Sequence, residues 1–175
     1  MNRRVGLPVV LVIFVAVIVG LVLLTPVLQG DDTPETAKET PVAAACTPVA
    51  DPFGSPPDGF TYAKVDEQTR QKTIDALRLD AAGVDMRAAR QGPATLGTLV
   101  GAPSKNPQAY VDELVSTAEK RSPVSRQQGF ALIPLESGTV VAVGVRGCTA
   151  VLISAQDPNA VRFLATAVFV ESSPR

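Results

Sequence analysis

The stretch FALIPLESGTVVAVGVRGCTAVLIS, residues 130–154, says most about the fold. Phe130–Leu135 and Thr139–Val145 are apolar runs on either side of Glu136-Ser137-Gly138, a hairpin signal. Arg146-Gly147 breaks the pattern again, and Cys148–Ser154 resumes it as a third strand. Links this short join antiparallel neighbours, since a parallel pair needs a long crossover.

Helical patterns flank this core. Asn106 is placed to cap a helix with Pro107 at its first position. Tyr110, Val111, Leu114, Val115 and Ala118 then form one apolar stripe, Lys120 and Arg121 suit the negative end, and Pro123 stops the helix. Asp157-Pro158 repeats the cap-then-proline opening. After it, Asn159, Arg162 and Thr166 share one stripe among apolar residues, which favours a mostly buried helix. The same residues also alternate as a strand through Val161, Phe163, Ala165, Ala167 and Phe169, so both readings stay open.

Further upstream, Phe60–Lys64 reads as a short strand. Asp66 is a plausible cap with Glu67 in the first turn, and Ile74, Leu77, Ala81 and Val84 recur at helical spacing, with Gly83 placed to end the helix. Arg70, Lys72, Asp75, Arg78 and Asp80 read as its solvated face. Val84, Met86 and Ala88 alternate with Asp85 and Arg87; Gln91-Gly92-Pro93 signals a turn; and Ala94–Val100 can return as a second strand. The order is β, α, β, β, α, β, β, β, α. It predicts an extracytoplasmic α+β domain over 59–175, an antiparallel or mixed sheet with helices packed on one face.

A different kind of segment precedes the domain. Leu7–Leu28 (LPVVLVIFVAVIVGLVLLTPVL) holds no charge and no Asn, Gln or Ser. At about 1.5 Å per residue it reaches roughly 33 Å as a helix, enough to cross a hydrocarbon core. It is too long for a signal-peptide core, and the Ala43-Ala44-Ala45 cleavage pattern lies far beyond its end, so it reads as an uncleaved transmembrane anchor in the lipid bilayer. Residues 1–6 carry Arg3 and Arg4 and read as a short cytoplasmic end, which places the C-terminal domain outside the cell membrane. Residues 29–58, rich in Pro and Thr and carrying six acidic residues against Lys38, read as an extended tether.

Cys46 and Cys148 are the chain's two cysteines. On the outer side of a membrane they are expected to form a disulfide, pinning the residues after Cys46 to the domain. Without a CxxC spacing or any His, a redox or metal pair is the weaker reading.

Composition narrows the chemistry. The chain has no His, which removes imidazole bases, Ser-His-Asp triads and His-ligated metals. It has no Trp, and no region is basic enough to point to nucleic acid. Four groups were open to a chemical reading. Asp66-Glu67 and Asp112-Glu113 are adjacent carboxylates, but neighbours on a helix do not share a face. Ser116 and Lys120 stand one turn apart, yet a nucleophile pair needs a desolvated lysine. Arg87 and Arg90 are an anion-recognition pair only if a fold gathers them. Gly138, Gly144 and Gly147 match no phosphate-loop spacing, and Gly92, Gly97 and Gly101 fit turns or bulges.

No catalytic, cofactor-binding or metal-ligating residue is expected. The reading is a non-enzymatic, single-pass protein whose outer domain binds another cell-envelope protein as an accessory or scaffold. The runner-up is an extracytoplasmic domain binding a small molecule or cell-wall fragment, and the third a hydrolase using carboxylates alone.

Overall fold

A computed structural model describes residues 46–77 and 79–171. The anchor expected at Leu7–Leu28, residues 1–6, the expected tether as far as residue 45, and Arg78 lie outside the described residues. No helix among the described residues is long and apolar enough to cross a membrane.

The chain runs β1 (Thr61–Lys64), α1 (Glu67–Leu77), β2 (Asp85–Gln91), β3 (Ala94–Pro103), α2 (Pro107–Glu119), β4 (Ser125–Gln127), β5 (Phe130–Pro134), β6 (Val140–Arg146), β7 (Thr149–Ala155) and α3 (Pro158–Thr166). A π-helical turn, Ala167–Glu171, follows. The strands form one sheet in the order β1-β2-β3-β7-β6-β5-β4, and every neighbouring pair is antiparallel. Two meanders, β1–β3 and β4–β7, meet at the β3–β7 pairing, where Leu99 faces Ile153 and Val100 faces Leu152. This is the α+β domain expected from the strand pattern, with the antiparallel alternative realised.

The helix caps act as their residues predict. Asn106 accepts the Ala109 N–H at 3.2 Å, and Asp157 accepts the Asn159 N–H at 2.9 Å. Residues 158–166 are helical, which resolves the helix-or-strand ambiguity in favour of the helix. Asp66 accepts the Thr69 N–H at 2.9 Å and opens α1.

Three expectations need correction. First, α1 stops at Leu77, well short of Gly83. The Leu79 N–H closes onto the Ile74 carbonyl at 3.0 Å, and Asp80 takes the Ala82 N–H at 3.0 Å, so local bonds outcompete further helix. Gly83, at φ +78°, turns the chain into β2 instead. Secondly, β4 was not foreseen. It is short, polar and exposed along its length, and it exists as a strand through its pairing with β5.

Thirdly, helices cover both faces of the sheet rather than one. Alternate residues of the central strands enter two separate cores. Ile133, Val143 and Leu152 pack with Ile74 and Leu77 of α1 and with Val111 and Val115 of α2. Leu132, Ala142, Val151 and Ile153 pack with Val161 and Leu164 of α3. The unbroken apolar run in β5–β7 has this physical meaning: a strand with no polar face must be covered twice.

Finally, the residues that follow Cys46 are held to the domain, as the expected disulfide implies. Within this segment Phe53 is fully buried (0% exposed) in the α3-side core beside Leu99 and Ile153. The Pro-rich composition reads as tether, but one aromatic ring and a disulfide anchor this part of it.

Candidate functional site

Two features stand out, and the chain builds them on opposite faces of the sheet.

The first is the strap, residues 46–54. Cys46 is bonded to Cys148, in the β6–β7 turn, with their Cα atoms 5.2 Å apart. Further along, Phe53 drops into the α3-side core above Gly101 of β3. A Cβ on Gly101 would stand 3.2 Å from both the Phe53 Cζ and the Pro52 Cγ, so glycine there makes room for the strap. Gly147 does the same at the turn, where a Cβ would lie 2.5 Å from the Thr47 carbonyl oxygen.

Charge closes the strap from above. Arg87 of β2 donates from Nη1 to Asp51 Oδ2 at 2.9 Å and from Nη2 to Asp85 Oδ2 at 2.7 Å. Its guanidinium carbon sits 4.9 Å from the centre of the Phe53 ring, a cation–π arrangement. Partial burial pushes the Asp51 carboxyl up, but the hydrogen bonds from Arg87 and the Phe53 N–H and the Arg87 charge outweigh it. The net effect holds Asp51 below its ordinary 3.8. The Tyr62 ring meets Phe53 edge-on at 6.4 Å. Its hydroxyl is pushed up to about 12, first by burial and then by the Asp51 charge. The Tyr62 hydroxyl and the Arg90 Nε are buried atoms with no hydrogen-bond partner among the described residues.

The second feature is a hollow of about 250 Å³ between α2 and strands β4–β6. Gln108, Val111, Asp112 and Val115 present one helical stripe to it, Val143 and Val145 line it from β6, and Arg126 stands on β4. Asp112 accepts the Gln108 side-chain amide at 2.9 Å, and Arg126 is bridged to Glu119 at 2.8 Å. Asp112 therefore stands on one side and the Glu119-bridged Arg126 on the other, with valines, Phe130, Ala131, Gln127 and two glycines completing the lining. Asp112 is the one carboxylate that lines it. No group of three or more His, Cys, Asp or Glu side chains able to hold a metal occurs among the described residues.

The residues raised from the sequence are scattered. Asp66 is a helix cap, held below 3.8 chiefly by hydrogen bonds from Thr69, and Glu67 bridges to Arg70 at 2.8 Å. Asp112 borders the hollow, whereas Glu113 acts on Tyr110, whose hydroxyl is pushed up to about 12 by burial and then by that charge. Ser116 and Lys120 are both exposed, so Lys120 lacks the desolvation that would activate the pair. Arg87 and Arg90 are separate: the first closes the strap, and the second shares none of its bonds.

Arg70, read as solvated, bonds the Val84 and Ala81 carbonyls and ties α1 to the turn before β2. Pinning after Cys46 is expected from the disulfide, but the contacts of Asp51 and Phe53 with β2 and the core are not legible in the sequence. The available signal was a lone Phe in a Pro-rich acidic segment just after a cysteine.

No protein-family model matches the chain, and no curated protein or solved structure matches it.

Proposed function

We propose that the chain is a single-pass membrane protein whose outer domain binds another cell-envelope protein in an accessory, non-enzymatic role. Residues 1–6 lie in the cytoplasm, Leu7–Leu28 cross the membrane, and the domain stands outside, held by the spacer that ends at Cys46. The observation that supports this reading is the Cys46–Cys148 disulfide, which lies beyond the Pro-rich spacer that follows the apolar segment. Such a bond persists in an oxidising compartment, which agrees with the orientation set by Arg3 and Arg4.

Among the described residues, the hollow beside α2 is the surface we assign to a partner. At about 250 Å³ it falls just below the roughly 300–1,000 Å³ of sites that enclose a small ligand. It is large enough for one apolar side chain, and Asp112 and Arg126 supply opposite charges at its margin. The small-molecule or cell-wall-fragment reading rests on the same hollow. The carboxylate-only hydrolase has least support, because the hollow offers one carboxylate where that chemistry needs two.

A photo-crosslinker placed at Asp112 in intact membranes is expected to capture one discrete envelope protein. The same group at Glu136, in the β5–β6 turn, is expected to miss it. Equal capture from both positions, or none from either, would reject the hollow as a docking surface. A melting-temperature rise of the full chain with an envelope-derived small molecule, without protein capture, would favour the second reading.

A further inference from the structure

The strap is fastened at two places by different chemistry. At its start, the Cys46–Cys148 bond ties it to the β6–β7 turn. Neither cysteine is fully buried, so solvent reaches both residues. Further on, Phe53 is enclosed in the core, while Asp51 binds Arg87 and also accepts the Phe53 N–H at 2.9 Å. None of these later contacts involves the sulfur atoms.

We propose that the disulfide is a redox-set latch on the strap, one that a dithiol reductant opens while the domain stays folded. A thiolate of the reductant attacks one sulfur of the Cys46–Cys148 bond, and its second thiol resolves the mixed disulfide. Two electrons and two protons pass to the cysteines, leaving two thiols here and a disulfide on the reductant. Thr47, Pro48, Val49 and Ala50 then leave the surface at Gly147, while Phe53 remains in its slot under Arg87. Val49 is already partly exposed, at 37%, so little apolar burial opposes its departure. Counting Cys46, the five freed residues lengthen the chain ahead of the domain by roughly 17 Å, at about 3.3–3.6 Å per residue. The proposed anchor matters to the consequence, a longer reach from the membrane, but the latch does not depend on it.

Hydroxyl-radical footprinting of the full chain in detergent, with and without dithiothreitol, tests the latch. On reduction, labelling of residues 47–50, all exposed already, is expected to rise modestly, most clearly at Val49 from its 37% exposure, while Phe53 stays unchanged. Phe163, 49% exposed, gives the level of a solvated ring in the same sample. Phe53 rising to that level would overturn the proposal, because the strap would then depend on the disulfide alone. No change at 47–50 would overturn it equally. So would new labelling at Phe130, which lies in the core, since the bond would then hold the fold rather than latch the strap. The variant Phe53→Ala supplies the converse: reduction should now release the strap as far as Pro52. Partner capture from Asp112 is read separately, so failure of either idea leaves the other standing.

Discussion

The Arg87 guanidinium lies over the Phe53 ring, 4.9 Å from its centre, while the same group bonds Asp51 at 2.9 Å. One side chain of β2 thus clamps a segment whose composition is that of a linker. The ring is buried by the sheet, and the charge above it is neutralised by Asp51 and Asp85.

Phe53→Ala should therefore be among the most costly substitutions in residues 46–58. Truncating a buried Phe typically costs about 3–5 kcal/mol, through lost transfer energy and the cavity left behind. Urea denaturation of the oxidised chain checks this. A loss no greater than that of the half-exposed Val49→Ala would contradict the burial.

Arg87→Ala should cost more than Asp51→Asn, because it removes the cover of Phe53 as well as the ion pair. The Asp51 side chain is 40% exposed, so the pair itself contributes about 0.2–1 kcal/mol. The comparison of the two variants by denaturation separates packing from charge.

The Asp51 carboxyl also predicts the sign of an acid effect. Its folded pKa is below the ordinary 3.8, so its contribution is fully present above that value and is lost as pH falls through the folded value. Stability should thus be insensitive to this group between neutral pH and about pH 5, then decline in strong acid. Asp51→Asn should flatten part of the decline; an unchanged pH profile would remove the carboxylate from the clasp.

Two glycines should respond differently to alanine. At Gly144 a Cβ would lie 2.6 Å from the Gly129 carbonyl oxygen and 2.7 Å from the Phe169 ring. Backbone cannot yield as a side chain can. Gly144→Ala should lower the melting temperature more than Gly101→Ala, whose 3.2 Å contacts are with strap side chains that can shift. Overpacking of this kind costs typically about 1–3 kcal/mol. Equal shifts would mean that the β4–β5 turn adapts freely.

The Cys46–Cys148 bond spans 102 residues. In the chain-entropy model such a loop stabilises the fold by up to about 4–5 kcal/mol. Non-reducing peptide mapping should find the two cysteines joined, and denaturation with and without reductant should show the loss. Free thiols at both positions in the mature protein would remove the staple.

Orientation is open to a direct measurement as well. A reporter active only outside the cytoplasm, fused after Arg175, should be active. Activity of a cytoplasm-only reporter would reverse the proposed topology.

Local features of this domain were legible in the chain because they are set by neighbours. Glu136-Ser137-Gly138 specifies a turn, Asn106-Pro107 and Asp157-Pro158 specify helix starts, and the run from Phe130 to Ser154 specifies strands. Each depends on residues within a few positions, where backbone preference and side-chain period act directly. The absence of His, and the separation of the two cysteines, likewise bounded the chemistry before any fold was known.

The tertiary structure decided what distance along the chain conceals. β4 is a strand because β5 lies beside it, and its own three residues carry no pattern. The helices take both faces because the central strands expose apolar side chains on each, a fact that periodicity alone reads as either sheet or buried helix. Phe53 is a core residue because Gly101, far along the chain, leaves space for its ring. Asp51 meets Arg87 across 36 residues. Composition measures how much apolar surface a segment has, not where the rest of the molecule has left a place for it, and only the assembled sheet supplies that place.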